Sequence, residues 1–299
     1  KVTDNGIGMD KEDALLCFTS HATSKIKDED DLFNISTLGF RGEALSAISS
    51  VSKFTLITKQ EQDEVGTKLF CINSEIISVE NHAAITGTDI KVEELFYNTP
   101  ARLKYLKLDT SELSYITDIV YKLALANPGV SFSLTSNGKT IFKTSGKNDI
   151  IEIISAIYGI NVAKNMIPFE AQNNDFKVYG YTSNISINRS NRYAISCFTN
   201  KRYIRNKILS DCIINGYHEF LFENRYPYTI LYIETDSTLL DVNVHPAKTE
   251  VRFVSEKEIF DLVYYGVKTA LNQRDISSFF HDNPSIPILK FYTVFFRPT

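Results

Sequence analysis

The sequence lacks the features that would place it in a membrane or on a secretory route. It contains no run of about 18 apolar residues, so we expect no membrane-spanning helix. It has no basic, apolar and small-residue leader, so we expect no secretory signal. The formal net charge is only −4, so no overall positive field attracts nucleic acid or an anionic membrane, although a local basic patch is still allowed.

Cysteine is scarce, and its spacing argues against two common uses. The four residues are far apart in the chain, at Cys17, Cys71, Cys197 and Cys212. No pair has the spacing of metal ligands. We therefore predict buried free thiols in a reducing compartment, with disulfides or a zinc site as the alternative.

The remaining composition is typical of a globular protein. Of the 299 residues, 43% are hydrophobic and 23% are charged, which suits one large or two medium domains. Alternating apolar residues predict strands, and an Asn137-Gly138 pair predicts a two-residue hairpin turn. Apolar periodicity predicts helices over five ranges: 10–20, 111–126, 149–158, about 203–219 and about 256–271.

The first segment with chemical meaning is DNGIGM at 4–9, which follows a strand start at Val2. Its glycines, Gly6 and Gly8, allow a tight turn and a close approach of the backbone. The carboxylate of Asp4, at the end of a strand, can accept a hydrogen bond from an exocyclic amine such as that of adenine. An ordinary Asp-Asn-Gly turn is the alternative.

The second segment is GFRGEAL at 39–45, which opens a helix. Two glycines ahead of a helix N-terminus free backbone N–H groups to face an anion, and the helix dipole favours negative charge there. This is phosphate-binding chemistry, although the sequence has neither a P-loop nor a GxGxxG motif after a strand. A structural helix start is the alternative.

Three other segments are ambiguous when each is taken alone. HATSKI at 21–26 offers hydroxyls and a lysine that could close over phosphates as a lid, or it is a solvated loop. GTDIKV at 87–92 brings Thr88 into a strand, where it contacts a base edge or serves only as a β-former. The segment 241–253 places Lys248 on a connection, where it contacts a terminal phosphate or lies at the surface.

Taken together, the order and spacing of these segments resemble the N-terminal half of the MutL family, the DNA mismatch-repair ATPases of the GHKL superfamily. GFRGEAL, FYNTPAR and NVHPAKTEVRF carry the resemblance, which extends over residues 1 to about 272. It implies an α+β fold: a GHKL-type ATPase α/β sandwich, with a mixed sheet and helices on one face, followed by a smaller βαβ transducer-like domain. A composition shift at 144–148 places the domain boundary there, so the expected divisions are an ATPase domain at 1–146, a connecting helix at 147–160, a transducer-like domain at 161–275 and a tail of unclear structure at 276–299.

The resemblance implies ATP and Mg²⁺ as cofactors. Asp4 would hold the adenine amino group, with Gly6 and Gly8 shaping the pocket and Thr88 beside them. Lys248 would assist at the γ-phosphate from the second domain, which would couple the nucleotide state to the domain angle. The lid and the GFRGEAL segment would hold the phosphates through Thr23, Ser24, Lys25, Gly39, Phe40, Arg41, Gly42, Glu43, Ala44 and Leu45.

One departure from the family concerns catalysis. The family's catalytic Glu and magnesium-binding Asn lie on a helix before the DNGIG loop, whereas this chain begins at Lys1, next to that loop. We therefore expect upstream residues to be missing, and we assign no general base and no metal ligand within the chain; Glu43 is not a substitute. Such a chain would hydrolyse ATP poorly or not at all. We also find no endonuclease motif and no C-terminal dimerisation domain of the family, so we expect no nuclease activity.

The resemblance also implies weak, sequence-independent binding of DNA. Six basic residues within about twenty positions form the candidate patch: Arg189, Arg192, Lys201, Arg202, Arg205 and Lys207. A solvated helix face is the alternative. The implied protein partners are a MutS-type mismatch-recognition protein and a second MutL-type chain, which would form a homodimer or a heterodimer with this one. No binding to a membrane is implied. The implied location is the cytoplasm for a bacterial protein and the nucleus for a eukaryotic one.

The leading hypothesis is an ATP-binding and ATP-hydrolysing switch that couples mismatch recognition to downstream repair. One alternative is a truncated, catalytically inactive MutL-like fragment. Another is a different GHKL ATPase, such as a topoisomerase subunit, although the NTPAR and HPAKTEVRF segments argue against it.

Overall fold

The computed structural model describes residues 1–18, 42–241 and 251–282. The chain divides into two compact units, Lys1–Ser114 and Tyr115–Thr299. Each unit contains a five-stranded sheet. Among the described residues, no helix is both long and apolar enough to cross a membrane.

The first unit combines an antiparallel sheet with short helices. Its strands are β1 (Val2–Asp4), β2 (Lys53–Lys59), β3 (Gly66–Ile72), β4 (Glu75–His82) and β5 (Gly87–Glu93). They lie in the order β1-β5-β2-β3-β4, and every pairing is antiparallel. Its helices are α1 (Lys11–Leu16), α2 (Ala44–Ser49) and α3 (Pro100–Leu103), and α4 (Asp109–Ala126) begins in it.

One face of this sheet carries the core of the first unit. Alternate residues of β2 are buried, because successive side chains of a strand point to opposite faces. Phe54 and Leu56 of β2 form a buried cluster with Ala14 of α1 and Leu69 of β3, and Leu45 of α2 packs against it. The helices α1 and α2 therefore cover one face of the sheet.

The second unit is larger and contains a mixed sheet. Its remaining helices are α5 (Ile150–Tyr158), α6 (Ile160–Lys164), α7 (Lys207–Gly216) and α8 (Glu256–Asp282). Its strands are β6 (Ser133–Ser136), β7 (Lys139–Lys143), β8 (Met166–Gln172), β9 (Phe176–Ser183), β10 (Asn188–Arg189), β11 (Ile195–Thr199), β12 (Arg202–Ile204), β13 (Tyr226–Pro227), β14 (Thr229–Thr235), β15 (Leu240–Asp241) and β16 (Arg252–Phe253). In the order β12-β11-β14-β9-β8, the strands β11 and β14 are parallel and α7 lies between them in sequence, which makes a βαβ crossover.

Both faces of this second sheet are covered. Ile230 and Tyr232 of β14 join a cluster with the C-terminal half of α4, the hairpin β6–β7 and α5. Leu231 and Ile233, the alternate residues, join a cluster with α7 and α8. A strand that is buried on both faces has a continuous run of apolar residues in its sequence, and β14 has such a run. The expected α+β class is thereby confirmed.

Two sequence predictions for the second unit had different outcomes. The hairpin prediction is confirmed, since Asn137 and Gly138 both adopt positive φ, at 48° and 77°. The predicted start of the helix at 203 is wrong. Residues 202–204 pair with β11 instead, and the helix begins after Asn206, whose side chain accepts the N–H of Leu209 at 3.1 Å.

The compact units divide at a different place from the predicted domain boundary. The division falls at Ser114, inside α4, whereas the sequence places it near residue 146. The physical reason is that Ala124 and Leu125 of α4 and Phe142 of the hairpin are buried in the core of the second unit. The functional boundaries at 146, 160 and 275 remain predictions. Helix α8 runs into the predicted tail as far as Asp282.

The cysteines are all free thiols. Cys71, Cys197 and Cys212 are buried, and Cys17 is half-buried. Burial raises the pKa of the Cys71 thiol to about 11 and that of the Cys197 thiol to about 12. Neutral, apolar packing is therefore the role of these buried thiols.

Candidate functional site

A row of three polar side chains crosses three neighbouring strands of the first unit. Asp4 of β1 pairs directly with Thr88 of β5, and Thr88 pairs directly with Thr58 of β2. Residues opposite each other in antiparallel strands point to the same face. Thr58 follows Phe54 and Leu56 on the covered face, so the row lies on the face that also carries α1 and α2.

The loop after β1 is shaped by its own carboxylate. The backbone N–H of Gly6 donates to Oδ1 of Asp4 at 2.9 Å. A Cβ atom on Gly6 would lie 2.9 Å from that oxygen, so a side chain there would displace the carboxylate of Asp4. Asp4 itself is exposed, which leaves its second oxygen available to a hydrogen-bond donor outside the chain.

Two other glycines allow the strand ends to approach one another. Gly8 has φ of +72°, and a Cβ atom there would lie 2.0 Å from the carbonyl oxygen of Lys59 at the end of β2. Gly87 has φ of +127°, and a Cβ atom there would lie 2.1 Å from the carbonyl oxygen of Asp4. Neither contact tolerates a side chain, so both positions need glycine. The ends of β1, β2 and β5 therefore meet at one corner of the sheet.

Thr58 holds this corner together, and the sequence analysis did not identify it. The residue is 1% exposed. Its hydroxyl accepts the backbone N–H of Met9 at 2.9 Å and lies 3.1 Å from the carbonyl oxygen of Gly87 and 3.3 Å from Oγ1 of Thr88. The available signal was a hydroxyl at the third position of an alternating buried series, after Phe54 and Leu56.

The GFRGEAL segment is described only from Gly42 onward. Gly42 has φ of +63°, Glu43 is the N-cap residue and Ala44 begins α2. The C-terminal end of α2 is held by the FYNTPAR segment, since Nδ2 of Asn98 donates to the carbonyl of Ser50 at 2.8 Å. From the sequence, this segment served only as one of the three that carry the family resemblance. In the structure it also fixes the end of the helix that begins at the predicted phosphate site.

The structure thus brings together Asp4, Gly6, Gly8 and Thr88, and it places Gly42–Leu45 in the same unit. The other predicted nucleotide residues lie outside the described residues: Thr23, Ser24, Lys25, Gly39, Phe40, Arg41 and Lys248. Within residues 1–18, 42–241 and 251–282, no group of three or more His, Cys, Asp and Glu side chains is placed to hold a metal ion.

The six candidate DNA-binding residues are distributed over several elements of the second unit. Arg192 lies before β11 and Lys201 lies in the turn after it, so the five residues of β11 separate them. Arg192 is already engaged: it pairs with Asp211 at 3.0 Å and lies over the ring of Tyr226 at 5.4 Å. The four others are placed as follows: Arg189 in β10, Arg202 in β12, Arg205 just after β12 and Lys207 at the start of α7.

A buried lysine lies close to Arg205 and was also missed by the sequence analysis. Lys122 of α4 is 8% exposed, and its Nζ donates to the hydroxyl of Ser196 at 2.8 Å. Its Nζ also lies 3.7 Å from Asp118 and 5.2 Å from the ring centre of Tyr203. Burial lowers the pKa of Lys122, and Arg205 adds to this effect while Asp118 opposes it.

Solved structures with this architecture define the class of protein. The crystal structure of the N-terminal domain of a DNA repair protein is 25% identical and has a TM-score of 0.75, covering 92% of this chain and 86% of that one. The ATPase domain of Aquifex aeolicus MutL complexed with ADP is 22% identical and has a TM-score of 0.59, covering 87% and 82%. The fold is that of the GHKL-type ATPase domains.

Sequence relatives narrow the class to one family. The DNA mismatch repair protein MutL of Geobacillus thermodenitrificans is 49% identical over 276 residues, which are 92% of this chain and 43% of that protein. MutL of Lactococcus lactis subsp. cremoris is 48% identical over 273 residues, 91% of this chain and 42% of that protein. A family model described as the C-terminal domain of DNA mismatch repair protein matches residues 154–272.

The chain belongs to the MutL family of DNA mismatch repair proteins. It spans less than half the length of the curated relatives that it matches.

The first testable prediction concerns the protonation of Lys122. Because burial lowers its pKa in the folded state, the unfolded chain binds more protons in the interval between the folded and the ordinary pKa. The free energy of unfolding should therefore rise with pH in that interval. Lys122→Met removes the titrating group, so the stability of the natural chain relative to this variant should be greater at about pH 10, near the ordinary lysine pKa, than at about pH 7.

Urea denaturation of both proteins at the two pH values measures this difference. Because Tyr203 and Tyr158 are present in both proteins, their own titration largely cancels in the comparison. A stability difference that does not change with pH would mean that Lys122 keeps its ordinary pKa.

Proposed function

We propose that this chain is the nucleotide-binding region of a DNA mismatch repair protein and that it binds ATP at the corner formed by β1, β2 and β5. The observation that carries the proposal is the row of Asp4 and Thr88 beside a loop packed through Gly6 and Gly8. Membership of the MutL family and the ADP complex of the Aquifex aeolicus MutL ATPase domain support it.

In this proposal the free carboxylate oxygen of Asp4 accepts a hydrogen bond from the exocyclic amine of adenine. Because Gly6 and Gly8 have no side chains, the base approaches the backbone of the loop closely and reaches the ends of the strands. The backbone N–H groups of Gly42–Leu45 face the phosphates. The lid residues Thr23, Ser24 and Lys25, the start of the GFRGEAL segment and Lys248 at the γ-phosphate complete the proposed site.

Binding in this form needs no general base and no metal from the described residues. We propose that the hydrolytic base and the Mg²⁺ ligand of the family are supplied by residues other than those described. The relatives favour neither an inactive fragment nor another GHKL ATPase. A MutS-type protein and a second MutL-type chain are the proposed protein partners. The cytoplasm is the proposed location, since the relatives named above are bacterial.

The second testable prediction is that Asp4→Ala abolishes or strongly weakens nucleotide binding. The substitution removes a charged acceptor, and hydrogen bonds to charged groups contribute about 1.5–3 kcal/mol, so affinity should fall roughly tenfold or more. Calorimetric titration with a non-hydrolysable ATP analogue measures the affinity.

Asp63→Ala is the matched control. Asp63 also accepts a backbone N–H, from Gln60 at 3.1 Å, but it lies in the turn between β2 and β3. Its substitution should leave nucleotide affinity unchanged. Equal affinities of the natural chain and the Asp4→Ala variant would refute the role of Asp4.

We also propose that the second unit binds DNA weakly and without sequence preference. Lys201, Arg205 and Lys207 are exposed, whereas Arg192 pairs with Asp211. Because the net charge of the chain is −4, such binding must come from a local patch and must depend steeply on salt.

The third testable prediction is that Arg202→Glu with Arg205→Glu lowers DNA affinity and flattens its salt dependence. Two lost phosphate contacts should reduce the slope of log affinity against log salt by about two. The control pair is Lys139→Glu with Lys143→Glu, which makes the same charge change on the exposed strand β7. Fluorescence anisotropy with a labelled duplex over a salt series measures both slopes. An unchanged slope in the arginine variant would mean that these residues do not contact phosphates.

A further inference from the structure

We propose that Thr58 is a positioning residue that makes the candidate site select adenine over guanine. The inference rests on the proposed nucleotide binding and adds a residue that acts through its neighbours rather than on the base. Thr58 is buried, so its hydroxyl is not itself available to a ligand. Its effect must pass through the three residues of the corner that its hydroxyl contacts, which are Met9, Gly87 and Thr88.

The direction of each hydrogen bond follows from the number of donors and acceptors. A threonine hydroxyl has one proton to donate and two lone pairs to accept. One lone pair of Thr58 accepts the N–H of Met9. The carbonyl of Gly87, at 3.1 Å, can only accept, so the proton of Thr58 is directed to it.

This arrangement leaves one role for the contact between the two hydroxyls. Thr58 has already used its proton, so in the 3.3 Å contact the hydroxyl of Thr88 must be the donor. The hydroxyl of Thr88 then has no proton left, and it presents only lone pairs away from Thr58. Thr88, directly opposite Asp4, therefore acts as a second acceptor beside a carboxylate.

Two acceptors side by side fit an amine and reject a carbonyl. Adenine carries an amine where guanine carries a carbonyl oxygen, and an acceptor facing that oxygen is left unpaired and repelled. If the proton of Thr58 instead pointed to Thr88, the hydroxyl of Thr88 would donate outward and would favour guanine. The direction in which each hydrogen bond at Thr58 is donated thus determines which base the corner accepts.

The test compares the affinities of non-hydrolysable ATP and GTP analogues for variants of the full chain. Thr58→Val keeps the shape of the side chain but frees the proton of Thr88, so the ratio of ATP to GTP affinity should fall about 5–10-fold. Thr58→Ser retains the hydroxyl and should restore the ratio. Thr55→Val, a change in the same strand on the opposite face, should leave it unchanged.

The outcomes separate this inference from the proposed function. If the natural chain binds neither analogue, nucleotide binding is refuted and Thr58 has no such role. If the natural chain prefers the ATP analogue and Thr58→Val keeps the full preference, the role of Thr58 is overturned while nucleotide binding stands. If Thr58→Val does not fold, Thr88→Val provides the measurement, because it removes the second acceptor and should lower the same ratio. An unchanged ratio in Thr88→Val would also overturn the inference.

Discussion

The hydrogen bond from the backbone N–H of Met9 to the hydroxyl of Thr58 is the constraint on which the candidate site depends. It ties the loop after β1 to the end of β2, although the two residues lie 49 positions apart in the sequence. A buried hydroxyl without partners would cost free energy, but here its partners are parts of the site. Folding stability and site geometry therefore depend on the same contact.

The glycines act together with this bond. At Gly8 and Gly87 the backbone of one strand end lies against the backbone of another, with no room for a Cβ atom. Because these approaches bring backbone to backbone, they leave the side chains of Asp4 and Thr88 on the surface of the corner. The helix α2 is fixed separately, at its C-terminal end, by Asn98. The base and phosphate parts of the proposed site thus have independent supports within the first unit.

The second unit is organised differently. Its sheet is covered on both faces, and several polar side chains buried there are hydrogen-bonded to each other, as Thr182 and Thr229 are at 2.8 Å. Lys122 is the charged side chain that is buried among the described residues, and the cost of burying its charge is reduced by Ser196, Asp118 and the ring of Tyr203. Removing a partner from such a group is destabilising, whereas an apolar replacement of similar shape is often tolerated.

The sequence predicts features that depend on local pattern. The hairpin at Asn137-Gly138, the alternation in β2 and the apolar stripe of α5 are of this kind, and all are present. Features that depend on distant partners were missed. Nothing near Thr58 in the sequence indicates that its hydroxyl contacts two distant backbone groups, the N–H of Met9 and the carbonyl oxygen of Gly87.

The same limit explains the other differences. The C-terminal half of α4 was assigned to the first domain because the composition changes only at residue 144, yet its buried face packs in the second unit. The helix prediction at 203 failed because periodicity does not show that residues 202–204 pair with β11. The family resemblance predicted nucleotide-binding roles for Asp4, Gly6, Gly8 and Thr88, but it did not indicate the hydrogen bonds that Thr58 makes to Met9 and Gly87.

The central claim is that an adenine nucleotide binds at the corner where β1, β2 and β5 meet. Hydrogen–deuterium exchange of the full chain, with and without a saturating non-hydrolysable ATP analogue, tests it most directly. The account predicts slower exchange in peptides that cover residues 4–9 and 86–90, with little change in the hairpin at 133–143. Unchanged exchange in both corner peptides, under conditions where the nucleotide is bound, would place the nucleotide elsewhere and contradict the account.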